Sequence, residues 1–208
     1  MKIGANYNKR KKMKRTLGIL VFGVALMMVG CEKEPTYYGK VDKTPYKTKA
    51  CIEQMRKGLE YRGTPISKIV VYKKKRKLLA YDASGKKMYE FRISLGKNAD
   101  KGNKIQAGDY RTPEGSYKIV RKKCDSRLYK SLMISYPNAA DKARAAKRGV
   151  SPGGYITIHG QPKWNADGRG DAYTLAHDWT EGCMAVPNKA MDKLWVAVHN
   201  GVKIDIYP

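Results

Sequence analysis

The sequence predicts a mainly β domain, a sandwich or barrel, with one helix in its C-terminal region and a short helical lid. Three observations carry this. From residue 66 onward the apolar residues fall in short β-branched or alternating runs separated by turn residues. Within that stretch one segment, residues 188–198, sets Met191, Leu194, Trp195 and Val198 at helical spacing. The 208 residues are 42% hydrophobic, with 15 Tyr against two Phe, enough for one domain with a real core.

The elements follow in order. Residues 1–30 hold seven basic groups and no acid, with a 13-residue apolar run at 17–29, too short for a comfortable membrane span. Positive flank, apolar core and small residue make the pattern of an export signal. Met28-Val29-Gly30-Cys31 resembles the lipobox of bacterial lipoproteins, in which the Cys becomes the lipid-bearing mature N-terminus. The alternative is an ordinary signal peptide with an incidental Cys. Either way the mature chain works outside the cytoplasm, in the periplasm or at the cell exterior, anchored through Cys31 in the lipoprotein reading. Residues 31–65 read as a tether with Pro35 and Pro45, then a short helix over 50–61 with Ile52, Met55 and Leu59 at helical spacing. Gly63-Thr64-Pro65 breaks the chain, and residues 66–208 form the folded domain.

Strands are expected at 66–72, 77–81, 88–94, 115–121, 132–136, 155–159 and 202–207. Residues 88–94 put Tyr89, Phe91 and Ile93 on one face and Glu90, Arg92 and Ser94 on the other. The Ala-rich stretch after Pro137, ending in Pro152-Gly153-Gly154, reads as the helical lid and its loop. For the C-terminal-region helix, Asn188 is the expected N-cap and Asn200-Gly201 the expected C-cap.

The formal net charge is +25. Beyond residue 30 the chain carries 36 basic and 18 acidic groups, a net +18. Such a surface favours polyanions, but export makes an acidic wall polymer a better partner than nucleic acid. The run Lys73-Lys74-Lys75-Arg76-Lys77 sits between two apolar stretches and reads as a hairpin tip.

The chemistry lies between His159 and Cys183. In Tyr155-Ile156-Thr157-Ile158-His159-Gly160, alternation puts the two Ile on one face and Tyr155, Thr157 and His159 on the other. In Thr180-Glu181-Gly182-Cys183, a glycine allows a tight turn just before the thiol. A thiol reacts as thiolate and needs a nearby base or cation to lower its pKa. Residues alone allow a Cys-His nucleophilic site, or, more commonly for such residues, a buried Cys and a structural His.

His159-Gly160 followed by Thr180-x-Gly182-Cys183 resembles the L,D-transpeptidase catalytic domain, the YkuD family, whose signature is His-Gly, a loop, then Ser/Thr-x-Gly-Cys. The stretch Gly108-Asp109-Tyr110-Arg111-Thr112-Pro113 also looks like this family's turn before a core strand. The resemblance covers about residues 66–208 and implies a YkuD-like β fold. It implies Cys183 as nucleophile, His159 as general base, the Gly160 carbonyl as the group orienting that His, and the N–H groups of Gly182 and Cys183 as an oxyanion hole. Tyr155, Trp164, Thr180 and Glu181 would face the substrate, and His177 is a rival base. Asp178 could pair with a His or end a turn, and Trp179 could wall the groove or pack in the core. Ala185 stands where the commonest family form has Arg, and Glu181 where it often has His. The implied reaction is acyl transfer on peptidoglycan stem peptides. D-alanine leaves a thioester on Cys183, and an amine, or water in a carboxypeptidase or release reaction, accepts the acyl group. No metal or cofactor is implied, and the chain is expected to act as a monomer.

With Cys31 assigned to lipid and Cys183 to catalysis, Cys51 and Cys124 remain, either as a disulfide fastening the first helix to the sheet or as two unrelated thiols. Three rivals stand beside this. A papain-like peptidase would place the Cys before the His. A zinc hydrolase would use His159, His177 and Cys183 or Asp178, at spacings matching no metal signature. A non-catalytic wall-binding lipoprotein would need no activated thiol.

Overall fold

The structure is a computed structural model that describes residues 45–58, 61, 63–163 and 174–208. The export segment, Cys31, most of the tether and Trp164 lie outside the described residues.

The β-branched and alternating runs pair into one eight-stranded sheet in the order β3-β2-β1-β8-β4-β5-β6-β7. The strands are β1 (Ile66–Tyr72), β2 (Lys77–Tyr81), β3 (Lys87–Arg92), β4 (Gly115–Asp125), β5 (Tyr129–Ile134), β6 (Thr157–His159), β7 (Met184–Ala185) and β8 (Val198–Tyr207). β1 runs parallel to β8 and β6 parallel to β7; the other pairs are antiparallel. β4 pairs with β8 through residues 115–118 and with β5 from residue 119 on, with a register shift between Ile119 and Arg121. That bulge bends the sheet into a curl. The two edges meet beyond β3, where Ser94 and Ala185 exchange backbone hydrogen bonds of 3.0 and 2.8 Å. Leu95 and Lys97 then bracket Thr180 at 3.0 Å each. The turn before Cys183 is thus held where the edges of the half-barrel join.

The concave side buries Ile69, Val71, Leu78, Ile119, Leu132, Ile134 and Ile158 against Met191, Leu194 and Trp195 of the C-terminal-region helix. That helix spans Asn188–Ala197. Its N-cap is Pro187, not Asn188, whose side chain is engaged elsewhere. Its C-cap is Val198, which is already extended. Gly201, at φ +92°, lies inside β8, where the register against β1 slips between Ile66 and Lys68. The Asn-Gly pair therefore serves a strand irregularity rather than a helix end.

The first helix, α1 (Lys49–Arg56), buries no residue, and Ile52 and Met55 are each 39% exposed. Its apolar face reaches β4 only at its edge, where Met55 Sδ lies 3.4 Å from Cys124 Sγ. A Cys51–Cys124 disulfide with Cα atoms 5.9 Å apart holds it to β4. The second helix, α2 (Ala139–Ala146), starts with a capping box between Asn138 and Asp141. The buried Asp141 carboxylate accepts the Tyr117 hydroxyl at 3.0 Å, which ties α2 to the sheet. The loop after it borders the cleft described below at Gly153, Gly154 and Tyr155, while α2 itself does not line it. Residues 73–76 form the β1–β2 hairpin tip. Two of its cations are internal. Lys73 donates to Glu114 Oε1 at 2.6 Å and to the Gly102 carbonyl at 2.9 Å. Arg76 reaches Asp178 and Asp100.

Candidate active site

The thiol sits on a turn that needs glycine at position 182. Gly182 has φ +128°, and a Cβ there would lie 2.7 Å from the Arg111 carbonyl oxygen. An L side chain is excluded on both counts. The Thr180 hydroxyl accepts from the Gly182 N–H at 3.1 Å and donates to the Cys183 carbonyl at 2.8 Å. Thr180 is buried and lines the cleft, and its hydroxyl shapes the turn. The Gly182 N–H, expected to be free for an oxyanion, is engaged by that hydroxyl. Among the described residues, the Cys183 N–H makes no such bond.

The segment carrying Asp109 and Arg111 supports this turn from behind. Asp109 accepts from the N–H groups of Ile105, Gln106 and Arg111 at 2.7, 3.1 and 3.0 Å and from Lys104 Nζ at 2.6 Å. Burial pushes its carboxyl up, but these bonds outweigh it and hold the carboxyl below its ordinary value. The Tyr110 carbonyl oxygen lies where a Gly96 Cβ would stand, at 2.2 Å. The Gly96 N–H donates to Thr112 Oγ1 at 3.0 Å.

β6 ends at His159, and its pairing with β7 sets His159 opposite Ala185, two residues from the thiol. Alternation does place Thr157 and His159 on the cleft face, but His159 is 1% exposed and forms part of the cleft floor. The Trp179 ring covers it edge-on, with centroids 5.7 Å apart. His159 Nδ1 lies 2.7 Å from the Gly160 carbonyl oxygen. A carbonyl only accepts, so Nδ1 carries the proton and Nε2 is the basic nitrogen. The His159 imidazole and the Cys183 thiol line the same cleft. Thr157 Oγ1 donates to Cys183 Sγ at 3.5 Å, and the thiol reaches the Tyr155 carbonyl at 3.7 Å. Burial pushes the Cys183 thiol up, but the neighbouring His159, with a smaller part from Thr157, brings it below its ordinary value. The site as a whole is a half-buried sulfur with a base whose tautomer is set, opening into a cleft of about 1310 Å³.

The remaining expected residues are distributed as follows. Tyr155 is 81% exposed at the cleft edge with φ +58°, and Glu181 is exposed on the lining. His177 is exposed and does not border the cleft. Asp178 takes a two-pronged contact from Arg76 and accepts the Leu95 N–H at 2.9 Å. Trp179 lines the cleft. Ala185 is buried and backbone-bonded to Ser94, so no cation stands at that position. Among the described residues, no group of three or more His, Cys, Asp and Glu could hold a metal ion. Arg76, Gln161 and Asn188 escape sequence reasoning, because each acts on the site across 25 or more residues of chain. The Thr157 contact had a usable signal, the alternation that sets it beside His159.

Comparison with known proteins gives a consistent picture. A family model described as the L,D-transpeptidase catalytic domain (YkuD) matches residues 67–206. YafK of Escherichia coli K12, named provisionally as an L,D-transpeptidase, is 26% identical over 197 residues, covering 89% of this chain and 68% of that protein. Among solved structures, the helical cell shape determining protein Pgp2 of Campylobacter jejuni is 28% identical, with a TM-score of 0.51. Its K307A form, at the same identity, gives 0.52. Each Pgp2 match covers 70% of this chain but only 48–49% of Pgp2, so the chain spans about half the length of those solved structures.

Proposed function

The chain belongs to the YkuD family of L,D-transpeptidase catalytic domains, and from that premise we propose that it performs cysteine-dependent acyl transfer on peptidoglycan stem peptides. The observation that supports this most is that Cys183 and His159 line one open cleft, with His159 Nδ1 tied to the Gly160 carbonyl so that Nε2 is the basic nitrogen.

In this reading the Cys183 thiolate attacks the carbonyl carbon of the amide before the terminal D-alanine. The proton taken from sulfur onto His159 Nε2 passes to the departing D-alanine nitrogen, and a thioester remains. His159 Nε2 then takes a proton from an incoming amine, which attacks the thioester and restores the thiolate. The Cys183 N–H faces the developing oxyanion; one such donor is worth about 3–4 kcal/mol. The Gly160 carbonyl keeps Nδ1 protonated through both steps. Tyr155, Glu181 and Trp179 border the space the stem peptide would fill. Export of the chain and its anchoring through lipidated Cys31 belong to the same proposal, resting on the basic flank, the apolar run and Gly30-Cys31. Pgp2 is described as determining helical cell shape, and a part in wall remodelling is the corresponding role here.

The test is incubation with purified tetrapeptide muropeptides followed by mass analysis. Dimers that have lost one D-alanine support transpeptidation. Tripeptides alone make the enzyme a carboxypeptidase with water as acceptor. In parallel, a thiol-reactive carbapenem should form a one-to-one adduct that Cys183→Ala abolishes. No adduct and no product would leave a non-catalytic wall binder.

A further inference from the structure

A closed ring of three hydrogen bonds lies directly behind His159. Asn188 Nδ2 donates to the Tyr46 hydroxyl at 3.3 Å, the Tyr46 hydroxyl donates to the Gln161 carbonyl at 2.9 Å, and the Gln161 N–H donates to Asn188 Oδ1 at 2.7 Å. Each group donates to the next, so the ring is mutually polarised and resists rotation of any member. The Gln161 side chain adds a bond to the Val186 carbonyl at 2.9 Å, and the His159 carbonyl accepts the Val186 N–H at the same distance. The peptide gripped by this ring is the one after Gly160, whose carbonyl orients His159 Nδ1. The fit is tight: a Cβ on Gly160 would come within 2.5 Å of Asn188 Oδ1.

Two of these groups come from the matched domain, but Tyr46 does not, because the family match begins at residue 67. Tyr46 is held in place independently. Its N–H donates to the Ser126 carbonyl at 2.7 Å, its ring packs edge-on against Tyr129 at 5.3 Å, and Cys51–Cys124 pins the helix that follows. The adjoining Pro45 borders the cleft itself.

We infer that Tyr46 and Asn188 are positioning residues for the general base: through Gln161 they fix the Gly160 carbonyl and so the direction of His159, which makes the segment before the family domain a working part of the site. This rests on the Cys183–His159 reading above. Neither residue touches the reacting atoms. Their effect belongs in the chemical step and in thiolate formation, not in substrate affinity.

The experiment uses the full chain with Tyr46→Phe, which keeps the ring on Tyr129 and removes only the hydroxyl, alongside Asn188→Ala and the double variant. Three readouts are taken: kcat and KM on tetrapeptide, the pH profile of Cys183 alkylation by iodoacetamide, and the melting temperature. The other charged groups bordering the same cleft are Arg121, Lys123 and Asp125 of β4, Arg127, Lys97, Lys104, Lys163 and Glu181; none is altered by Tyr46→Phe. Tyr46→Phe should lower kcat about tenfold, the scale of one hydrogen bond, with KM unchanged and the alkylation profile moved to higher pH. The double variant should fall little below Asn188→Ala alone, because one ring is broken in both. A Tyr46→Phe enzyme with wild-type kcat and an unshifted profile overturns the inference, even if it melts lower. Should Asn188→Ala fail to fold, Tyr46→Phe decides alone. A His159→Ala control separates the two levels. If it leaves the wild-type alkylation profile in place, the Cys183–His159 reading fails and takes this inference with it.

Discussion

Replacing Arg76 by Met should destabilise the domain and loosen the loop that carries the thiol. The Arg76 guanidinium holds both oxygens of Asp178, with Nε at 3.1 and 2.9 Å and Nη2 at 2.5 Å. The two side chains are 19% and 14% exposed. An exposed pair is worth about 0–1 kcal/mol, whereas breaking a fully buried one costs about 3–5 kcal/mol. At this exposure the loss falls between, about 2–3 kcal/mol, most of it from a carboxylate left half-buried without its cation. The second arm, to Asp100, adds little because Asp100 is 74% exposed. For a domain of this size, that loss lowers the melting temperature by about 4–12 °C. Asp178 also accepts the Leu95 N–H and adjoins Trp179, which covers His159, so kcat should fall with stability. The assay is urea denaturation of Arg76→Met, Asp178→Asn and the double variant. In the double variant the amide that replaces the Asp178 carboxylate still accepts from Leu95 but carries no orphan charge, so the double should be more stable than Arg76→Met alone. A loss under about 1 kcal/mol, or a double variant as unstable as the sum of the singles, refutes the reasoning.

Other outcomes follow from the same geometry. Gly182→Ala faces both a left-handed backbone and the Arg111 carbonyl, and should cost about 2–4 kcal/mol in urea melts while abolishing Cys183 alkylation at neutral pH. Asp109→Asn should cost about 2–3 kcal/mol at pH 7. The native carboxyl lies below its ordinary value, so its contribution is complete above pH ~4 and is lost as the pH falls through the native value. The gap between wild type and variant should therefore close in acid, as denaturation midpoints against pH will show. Removing the Cys51–Cys124 disulfide, a link over a sequence separation of 73, should lower stability by up to about 4 kcal/mol in a Cys51→Ala/Cys124→Ala chain under denaturant. Thr180→Val should spare the fold but slow turnover measured on tetrapeptide, because the hydroxyl sets the turn at Gly182 and Cys183.

The local patterns decided a good deal. β1 and β2 appear with the bounds that β-branching and turn residues mark, and the helix over Asn188–Ala197 presents its apolar stripe to the core. Period-two and period-3.6 patterning are short-range signals, so sequence carries them faithfully. The same signals misled where local preference met only a partial partner or a competing use. The apolar positions of α1 are only partly covered, Asn188 bonds Gln161 instead of capping its helix, and Asn200-Gly201 shapes a strand. Sequence alone put a histidine on a strand end and a glycine before a cysteine, and these residue types limit the chemistry to a thiol and a base. Tertiary structure decided that the two meet, that Thr180 takes the Gly182 N–H, that Arg76 anchors the loop from 102 residues away, and that Tyr46 reaches the back of the site. Those are contacts between segments brought together only when the sheet curls and its edges join. A one-dimensional pattern encodes the tendency to form each strand but not the register at which distant strand ends come into reach.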